Sequence, residues 1–368
     1  VEVSVRSKGM ASARTMQAMV LLTPGPCHTS DAVRSAAAAE DMNHRMPAFA
    51  DLTAEIGLRL RRLAGGAHAP YVLGGSGTAA MEAMAASCVE AGPVLIVANG
   101  CYSERWAAIF AIHGIPHTLL SFPWTDPWRL DVIAQRLRRE RYEAVLATHH
   151  ETTSGRLNPV GALAQMAREH GARVMIDASS SLGAEALDFE GLHAVCGLAN
   201  KCLHGLPGVS FVLCGVPPPD EPRRTYYLHL PMYAGDSAPL TPPVPALLAF
   251  RQALRELDDQ GGPAARGERY ARQAARVREA LRGLGMTTPV PDTEASCALT
   301  MATVPDGWSA QEWLDANLER GFMLYGCKGV LEDRCFQVST MGEVTDAMVD
   351  AWLDVAHDLA RRGPRKPG

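Results

Sequence analysis

Val174-Met175-Ile176-Asp177-Ala178-Ser179-Ser180-Ser181 is an apolar run that ends on an acid and opens into small residues, and 24 residues after the acid comes Lys201. The lysine sits in Gly197-Leu198-Ala199-Asn200-Lys201-Cys202-Leu203-His204-Gly205-Leu206-Pro207-Gly208. An acid at the C-terminal end of a parallel strand stands where open α/β sheets bind their ligands, although a helix cap is its plainer use. A lysine between an apolar stretch and a Gly/Pro-rich loop is badly placed for a solvated charge. A partly buried amine suits covalent chemistry with a carbonyl, whereas taken alone it reads as an ordinary surface lysine. Toward the N-terminus, Gly74-Gly75-Ser76-Gly77-Thr78 separates a short apolar strand (71–73) from a helix that starts with Ala79-Ala80-Met81. Glycines admit a ligand close to the backbone, and the free N–H groups of a helix start bind phosphate. A Gly-rich turn by itself is more often structural. The order of the three features is what carries meaning: Gly-rich turn, strand ending in Asp, loop lysine.

Around these features apolar runs recur at 93–98, 117–122, 144–149, 173–176 and 209–214, with helical patterns between them at 78–90, 102–113, 128–140 and 159–170. This alternation predicts an α/β domain with a mostly parallel, helix-covered sheet. The proline-dense stretch 215–245 predicts extended loop. Long helices are expected at 246–260 and 266–282, then strands at 298–304 and 335–339 and helices at 309–320 and 346–361, which together read as a small α+β domain. The expected division is an N-terminal arm at 1–20, a large domain at 21–250, and a small domain at 251–368 with a frayed end from 361. A chain of 368 residues that is 47% hydrophobic can bury such a core. The net charge of -5, with scattered Lys and Arg, offers no footprint for nucleic acid or an anionic membrane. Nine cysteines without a CxxC pair argue against a disulfide framework or a zinc site, so no metal is expected. The reading is a soluble, cytoplasmic protein with no membrane span.

Further blocks lie along the chain in a fixed order: Leu22-Thr23-Pro24-Gly25-Pro26; His44-Arg45 with Pro47 and Phe49; Gly75-Ser76-Gly77-Thr78; Asn99-Gly100-Cys101-Tyr102 with Arg105; Glu151-Thr152-Thr153-Ser154-Gly155; Asp177 with Ser181-Leu182-Gly183; Asn200-Lys201-Cys202-Leu203; and Thr241-Pro242-Pro243. From about 22 to 344 the chain resembles the class V aminotransferases, enzymes of fold type I that use pyridoxal 5'-phosphate (PLP). The 2-aminoethylphosphonate:pyruvate transaminases are the nearer branch and the alanine:glyoxylate aminotransferases a second relative. The resemblance implies a seven-stranded sheet in the large domain and a homodimer with shared active sites. It also implies that Lys201 carries the cofactor and moves a proton, that Asp177 holds the ring nitrogen, and that Ser76, Gly77 and Thr78 hold the phosphate. Tyr102 would stack on the ring, Thr152 would bond its 3-oxygen, and Asn200 and Ser181 would add polar contacts. Thr241 would reach the phosphate of the neighbouring subunit.

The family's C-terminal Phe-Arg-Ile-Gly block reads Phe336-Gln337-Val338-Ser339 here, and Gln337 lacks the charged fork that an arginine offers a carboxylate or phosphonate. Arg334 is expected to share the strand face of Gln337 and to substitute for the lost arginine. Gly25, His28 and Arg45 complete the expected substrate set, with His44 and Lys328 as further candidates. The activity implied is transfer of an amino group from a small amine, such as 2-aminoethylphosphonate or a related phosphonate or amino acid, to a 2-oxo acid. The loss of the acid clamp keeps a second reading open, a PLP enzyme of different chemistry such as a lyase or decarboxylase. A non-enzymatic PLP-binding protein is a third.

Overall fold

The computed structural model describes residues 19–39, 41–235 and 238–364. Most of the expected N-terminal arm, Ser237 and the last four residues of the expected frayed end lie outside the described residues.

The chain enters as β1 (Val20–Leu21), passes α1 (Asp31–Ala37) and α2 (Pro47–Leu63), and reaches β2 (Ala69–Gly74). Helices and strands then alternate: α3 (Gly77–Cys88), β3 (Val94–Ala98), α4 (Cys101–Ile112), β4 (His117–Ser121), α5 (Leu130–Arg139) and β5 (Ala144–Thr148). A small hairpin of β6 (His150–Glu151) and β7 (Arg156–Leu157) leads to α6 (Val160–Glu169), β8 (Arg173–Asp177), β9 (Ala194–Leu198) and β10 (Val209–Cys214). Seven of these strands form one sheet in the order β2-β10-β9-β8-β5-β3-β4, in which β10 alone runs against its neighbours. The chain goes outward from β3 to β4 and returns across β3 to β5. That reversal leaves a crevice at the strands' C-terminal ends.

Both faces of the sheet are buried. Val94 and Ile96 pack with Leu146, Met175 and Trp106 on one side, and Leu95 and Val97 pack with Val145, Val174 and Ile176 on the other. Burial on both sides explains why these strands read as continuous apolar runs. The sequence reading did not mark β9 as a strand. Gly197 weakens its strand signature, yet a Cβ there would stand 2.6 Å from the Phe211 ring, so the packing of β10 onto β9 demands glycine. Nor were α1 and α2 marked, although α2 buries Phe49, Leu52, Ile56 and Leu60 at helical spacing.

Beyond a proline-rich segment whose regular structure is one 3-10 turn, Leu230–Tyr233, come α7 (Val244–Asp259) and α8 (Gly262–Gly283). A second body follows, made of β11 (Leu299–Thr303), α9 (Ala310–Glu319), β12 (Phe322–Met323), β13 (Tyr325–Gly326), β14 (Cys335–Ser339) and α10 (Asp346–Arg362). Its three-stranded sheet, β11-β14-β13, and its helices enclose a separate core around Val277, Trp313, Phe336 and Trp352. β1 pairs with β12 and so belongs to this side. No helix among the described residues is long and apolar enough to cross a membrane.

One buried joint ties the lysine loop to this second body. His204 holds a left-handed backbone, φ 58°, three residues after Lys201. Its Nδ1 donates to Glu343 Oε1 at 3.0 Å and its Nε2 accepts from the Tyr270 hydroxyl, which itself accepts from the Gly342 amide at 2.9 Å. Arg266 Nη1 adds a bond to the Cys202 carbonyl at 2.8 Å.

Burial pushes the His204 imidazole down to about 3 and the nearby His150 to about 3, while His149 falls to about 4 for the same reason. A histidine whose folded pKa lies below its unfolded value of about 6.5 is stabilising only while both states are neutral. As pH falls through 6.5 the unfolded chain takes up protons that the folded chain refuses. Stability is therefore expected to hold from pH 8 to 7 and to fall below pH 6.5, by about 1.4 kcal/mol per pH unit for each such imidazole. Thermal unfolding followed from pH 8 to 4.5 checks this, and a midpoint unchanged between pH 7 and 5 would contradict it.

Candidate active site

The loops that follow β2, β3, β5, β8 and β9 all leave the sheet at the same edge, because these five strands run in one direction. Each brings one of the residues singled out in the sequence.

After β2, Gly75 takes φ 146° and turns the chain into α3, where a Cβ would lie 2.7 Å from that of Ala79. Ser76 is the N-cap of α3 but its side chain does not cap the helix. The Gly77 and Thr78 amides have no partner within the helix and face outward with the positive end of the helix dipole. Arg105 Nη1 donates to Thr78 Oγ1 at 2.9 Å and adds a full positive charge. The arrangement is a cradle for a small anion. The buried Ser179 Oγ, 3.3 Å from where a Gly77 Cβ would be, makes no hydrogen bond of its own.

After β3, Tyr102 occupies the first turn of α4. This helix start is held by Glu151, a fully buried carboxylate. One oxygen accepts from the Ser103 amide and hydroxyl, both at 2.9 Å, and the other from the Thr153 amide at 3.1 Å and hydroxyl at 2.6 Å. Gly100 makes this approach possible, since a Cβ there would come within 2.3 Å of the Glu151 carboxyl carbon. Tyr102 and Thr152 are thereby fixed to each other through one side chain. Three cations surround the Tyr102 ring: Arg105 Cζ at 4.9 Å, Lys328 Nζ at 5.0 Å and Lys201 Nζ at 5.4 Å from its centroid.

Asp177 closes β8 and is buried. Its Oδ1 accepts from the Ser179 amide at 2.9 Å, which leaves Oδ2 for another partner. Lys201, on the loop after β9, donates from Nζ to Ser180 Oγ at 2.7 Å. Ser180 is itself fixed, its carbonyl accepting from His150 Nδ1 at 2.9 Å and from Cys202 Sγ at 3.3 Å. The resemblance assigns Ser181 a polar contact to the cofactor. In the structure Ser181 Oγ is fully buried against His149 Nδ1 at 3.0 Å, and its neighbour Ser180 reaches the lysine. Three consecutive serines give no sequence signal that separates them. Gly25, with φ 121°, lies over the lysine stem, where a Cβ would be 3.1 Å from Lys201 Cγ. The Asn200 carbonyl lies beside it, 3.3 Å from that same Cβ position.

The expected substrate residues are not all brought together. Gln337, at the centre of β14, donates from Nε2 to the carbonyls of Thr152 at 2.5 Å and Thr153 at 3.1 Å. Its donor group is occupied in holding the Thr152 loop to the second body. Arg334 does not share its face, contrary to expectation: it precedes β14, lies three residues from Gln337 and is exposed. In a strand an odd offset places two side chains on opposite faces. His28 Nε2 accepts the Leu21 amide at 2.7 Å. Arg45 is exposed and His44 packs edge-on to Phe49. Thr241, also exposed, lines with Gly74 and Tyr227 a small cavity of about 30 Å³ behind the cradle turn.

Comparison with known proteins agrees with this geometry. The family model described as aminotransferase class-V matches residues 34–217. A 2-aminoethylphosphonate–pyruvate transaminase of Burkholderia thailandensis is 35% identical over 341 residues, 88% of this chain and 91% of the relative. One from Klebsiella pneumoniae is 32% identical over 92% of this chain and 97% of its own length. Among solved structures, alanine–glyoxylate aminotransferase from Nostoc sp. superposes with a TM-score of 0.86 at 25% identity, covering 97% of this chain and 99% of that one. A buried acid, a loop lysine, a glycine turn opening a helix and a tyrosine ring at one end of a seven-stranded sheet thus coincide with these likenesses, and the chain belongs to the class V aminotransferases, PLP-dependent transaminases of fold type I.

Proposed function

We propose that this transaminase takes the amino group of a small amine with an acidic end, 2-aminoethylphosphonate or a related phosphonate or amino acid, and passes it to a 2-oxo acid, as a homodimer with shared active sites. The observation that carries the reading is the meeting of Lys201 Nζ, the Tyr102 ring and the Ser76–Gly77–Thr78 cradle at the strand ends. The 2-aminoethylphosphonate transaminases, alike over most of the chain, support the donor class.

The residues present fit PLP. Its phosphate matches the α3 cradle, with the unpartnered Ser179 Oγ beside it, and a protonated ring nitrogen matches the open oxygen of Asp177. When bound, PLP supplies an electron sink for the carbon that carries the amine. The chain's own residues supply the rest. Asp177 would keep a proton on the ring nitrogen, Tyr102 would cover one face of the ring, Thr152 would bond its 3-oxygen, Asn200 would make a phosphate-side contact, and Thr241 would serve the neighbouring subunit's phosphate. Lys201 holds the cofactor at rest. Once released it moves the proton at the amine-bearing carbon, steadied by Ser180. Gln337 favours a second reading: with no arginine fork at that position, bond cleavage other than amino transfer remains open.

The two readings separate spectroscopically. An amine donor alone should bleach the yellow absorbance of the bound cofactor and a 2-oxo acid should restore it, whereas a lyase or decarboxylase would release product without needing the oxo acid. Lys201→Ala should purify without the yellow absorbance and lose at least about 100-fold in turnover, the usual worth of a positioned acid–base group. Unchanged colour and rate in that variant would remove Lys201 from its role.

A dimer should sediment as the active species. Thr241→Ala should weaken cofactor retention by about 1 to 3 kcal/mol, as for a lost hydrogen bond to a charged group. An active monomer, or a Thr241→Ala variant with unaltered retention, would refute the shared site.

A further inference from the structure

We infer that Lys328, together with the Tyr102 hydroxyl it touches, receives the anionic end of the amine donor; this rests on the transamination reading above. Four candidates for an anion receptor fall away on geometry. Gln337 Nε2 is taken by two backbone carbonyls, Arg334 is exposed on the turn that precedes β14, and His28 Nε2 accepts a backbone amide. Arg105 is directed to Thr78 at the cradle.

Lys328 has the opposite character. Its side chain is exposed, it is paired with no carboxylate among the described residues, and Nζ donates to Tyr102 Oη at 3.3 Å. The same ring has the Lys201 ammonium 5.4 Å from its centroid. The reacting amine and an unneutralised cation therefore lie against the same aromatic ring. A small molecule with an amine at one end and an acid at the other matches that pair of positions.

The position of Lys328 is built rather than incidental. The next residue, Gly329, has φ 53°, and a Cβ there would fall 2.7 Å from the Trp124 indole. Trp124 Nε1 in turn donates to Glu104 Oε1 at 3.1 Å, and Glu104 stands two residues beyond Tyr102 on α4. On the other side the Cys327 amide is bonded to the Cys335 carbonyl at 3.3 Å. The loop that presents Lys328 is thus anchored both to the second body and to the helix that carries Tyr102. By accepting from Lys328, the Tyr102 oxygen keeps its own proton available for the anion. An ammonium group is a compact charge with three rotatable donors, which suits a tetrahedral phosphonate as well as a carboxylate.

The test uses the holoenzyme and the first half-reaction alone, so that the acid of the 2-oxo acceptor does not enter. Bleaching by 2-aminoethylphosphonate is compared with bleaching by propylamine, which lacks an acid, in the wild type, Lys328→Met and Lys328→Arg. Lys328→Met should raise the apparent dissociation constant of the phosphonate about 10- to 100-fold and leave propylamine within about 3-fold, the range expected for one charge-assisted contact. Lys328→Arg should recover most of the loss. Ethylphosphonate, an acid without an amine, should protect the wild type from bleaching by propylamine but not Lys328→Met. Equal losses for both donors would mean that Lys328 acts only by placing Tyr102, and no loss would mean that it is not engaged; either overturns the inference. If the wild type is bleached by no amine, the transamination reading fails first, independently of any variant, and the role of Lys328 falls with it.

Discussion

A carboxylate with no exposure to solvent and four donors pointed at it is the constraint on which the active edge depends. Glu151 takes two hydrogen bonds from Ser103 at the start of α4 and two from Thr153. It does so in a space that only a glycine at position 100 leaves open. Burying such a group is costly unless every lone pair is used, and here burial and saturation come together. The loop after β3 and the loop after β5 are in this way made one piece, with Tyr102 and Thr152 at fixed separation. Gln337 extends the same piece into the second body by holding the Thr152 and Thr153 carbonyls from below. Position 337, where the resemblance leads to the expectation of an acid-binding arginine, is here part of the scaffold.

The division between what was legible and what was not follows the range of each signal. The cradle, the acid and the lysine were legible because each is local: a glycine turn before a helix, an acid ending an apolar run, a lysine before a Gly/Pro loop. Six of the seven large-sheet strands were legible as apolar runs; in β3, β5, β8 and β10 burial on both faces leaves the run unbroken, whereas the edge strands β2 and β4 are only partly buried. β9 was missed through Gly197, whose reason lies in Phe211 on the next strand, and no local pattern contains that partner. The Ser180 contact to Lys201 was not legible, because direction along a turn decides which of three adjacent hydroxyls faces the lysine. The placing of Arg334 failed on strand parity, which offset along the chain did contain. The role of Glu151 was invisible for a further reason: its donors lie 48 residues back and two residues ahead, and only the fold brings them together.

The His204 joint gives the lysine loop a second support that does not pass through the sheet. His204, Tyr270, Glu343 and the Gly342 amide form a closed set of hydrogen bonds in which each buried atom has a partner. Because the left-handed turn at His204 directly follows the lysine loop, the direction of Lys201 is tied to α8 and to the segment after β14. Movement of the second body relative to the sheet would therefore reach the lysine through this joint before it reached the cradle, which hangs on β2 and α3.

The reversed strand β10 has a bearing on biosynthesis. β2, the strand that delivers the cradle turn, stands at the edge of the sheet and pairs with β10 alone, in a register from Ala69 with Cys214 to Gly74 with Val209. At ribosomal rates of about 5 to 20 residues per second, β2 leaves the tunnel roughly seven to twenty-eight seconds before its partner does. During that interval the strands from β3 to β9 can assemble in the order they emerge, while β2 waits with an unpaired backbone. The anion-binding turn is thus among the first parts of the sheet to be synthesised and the last to be locked.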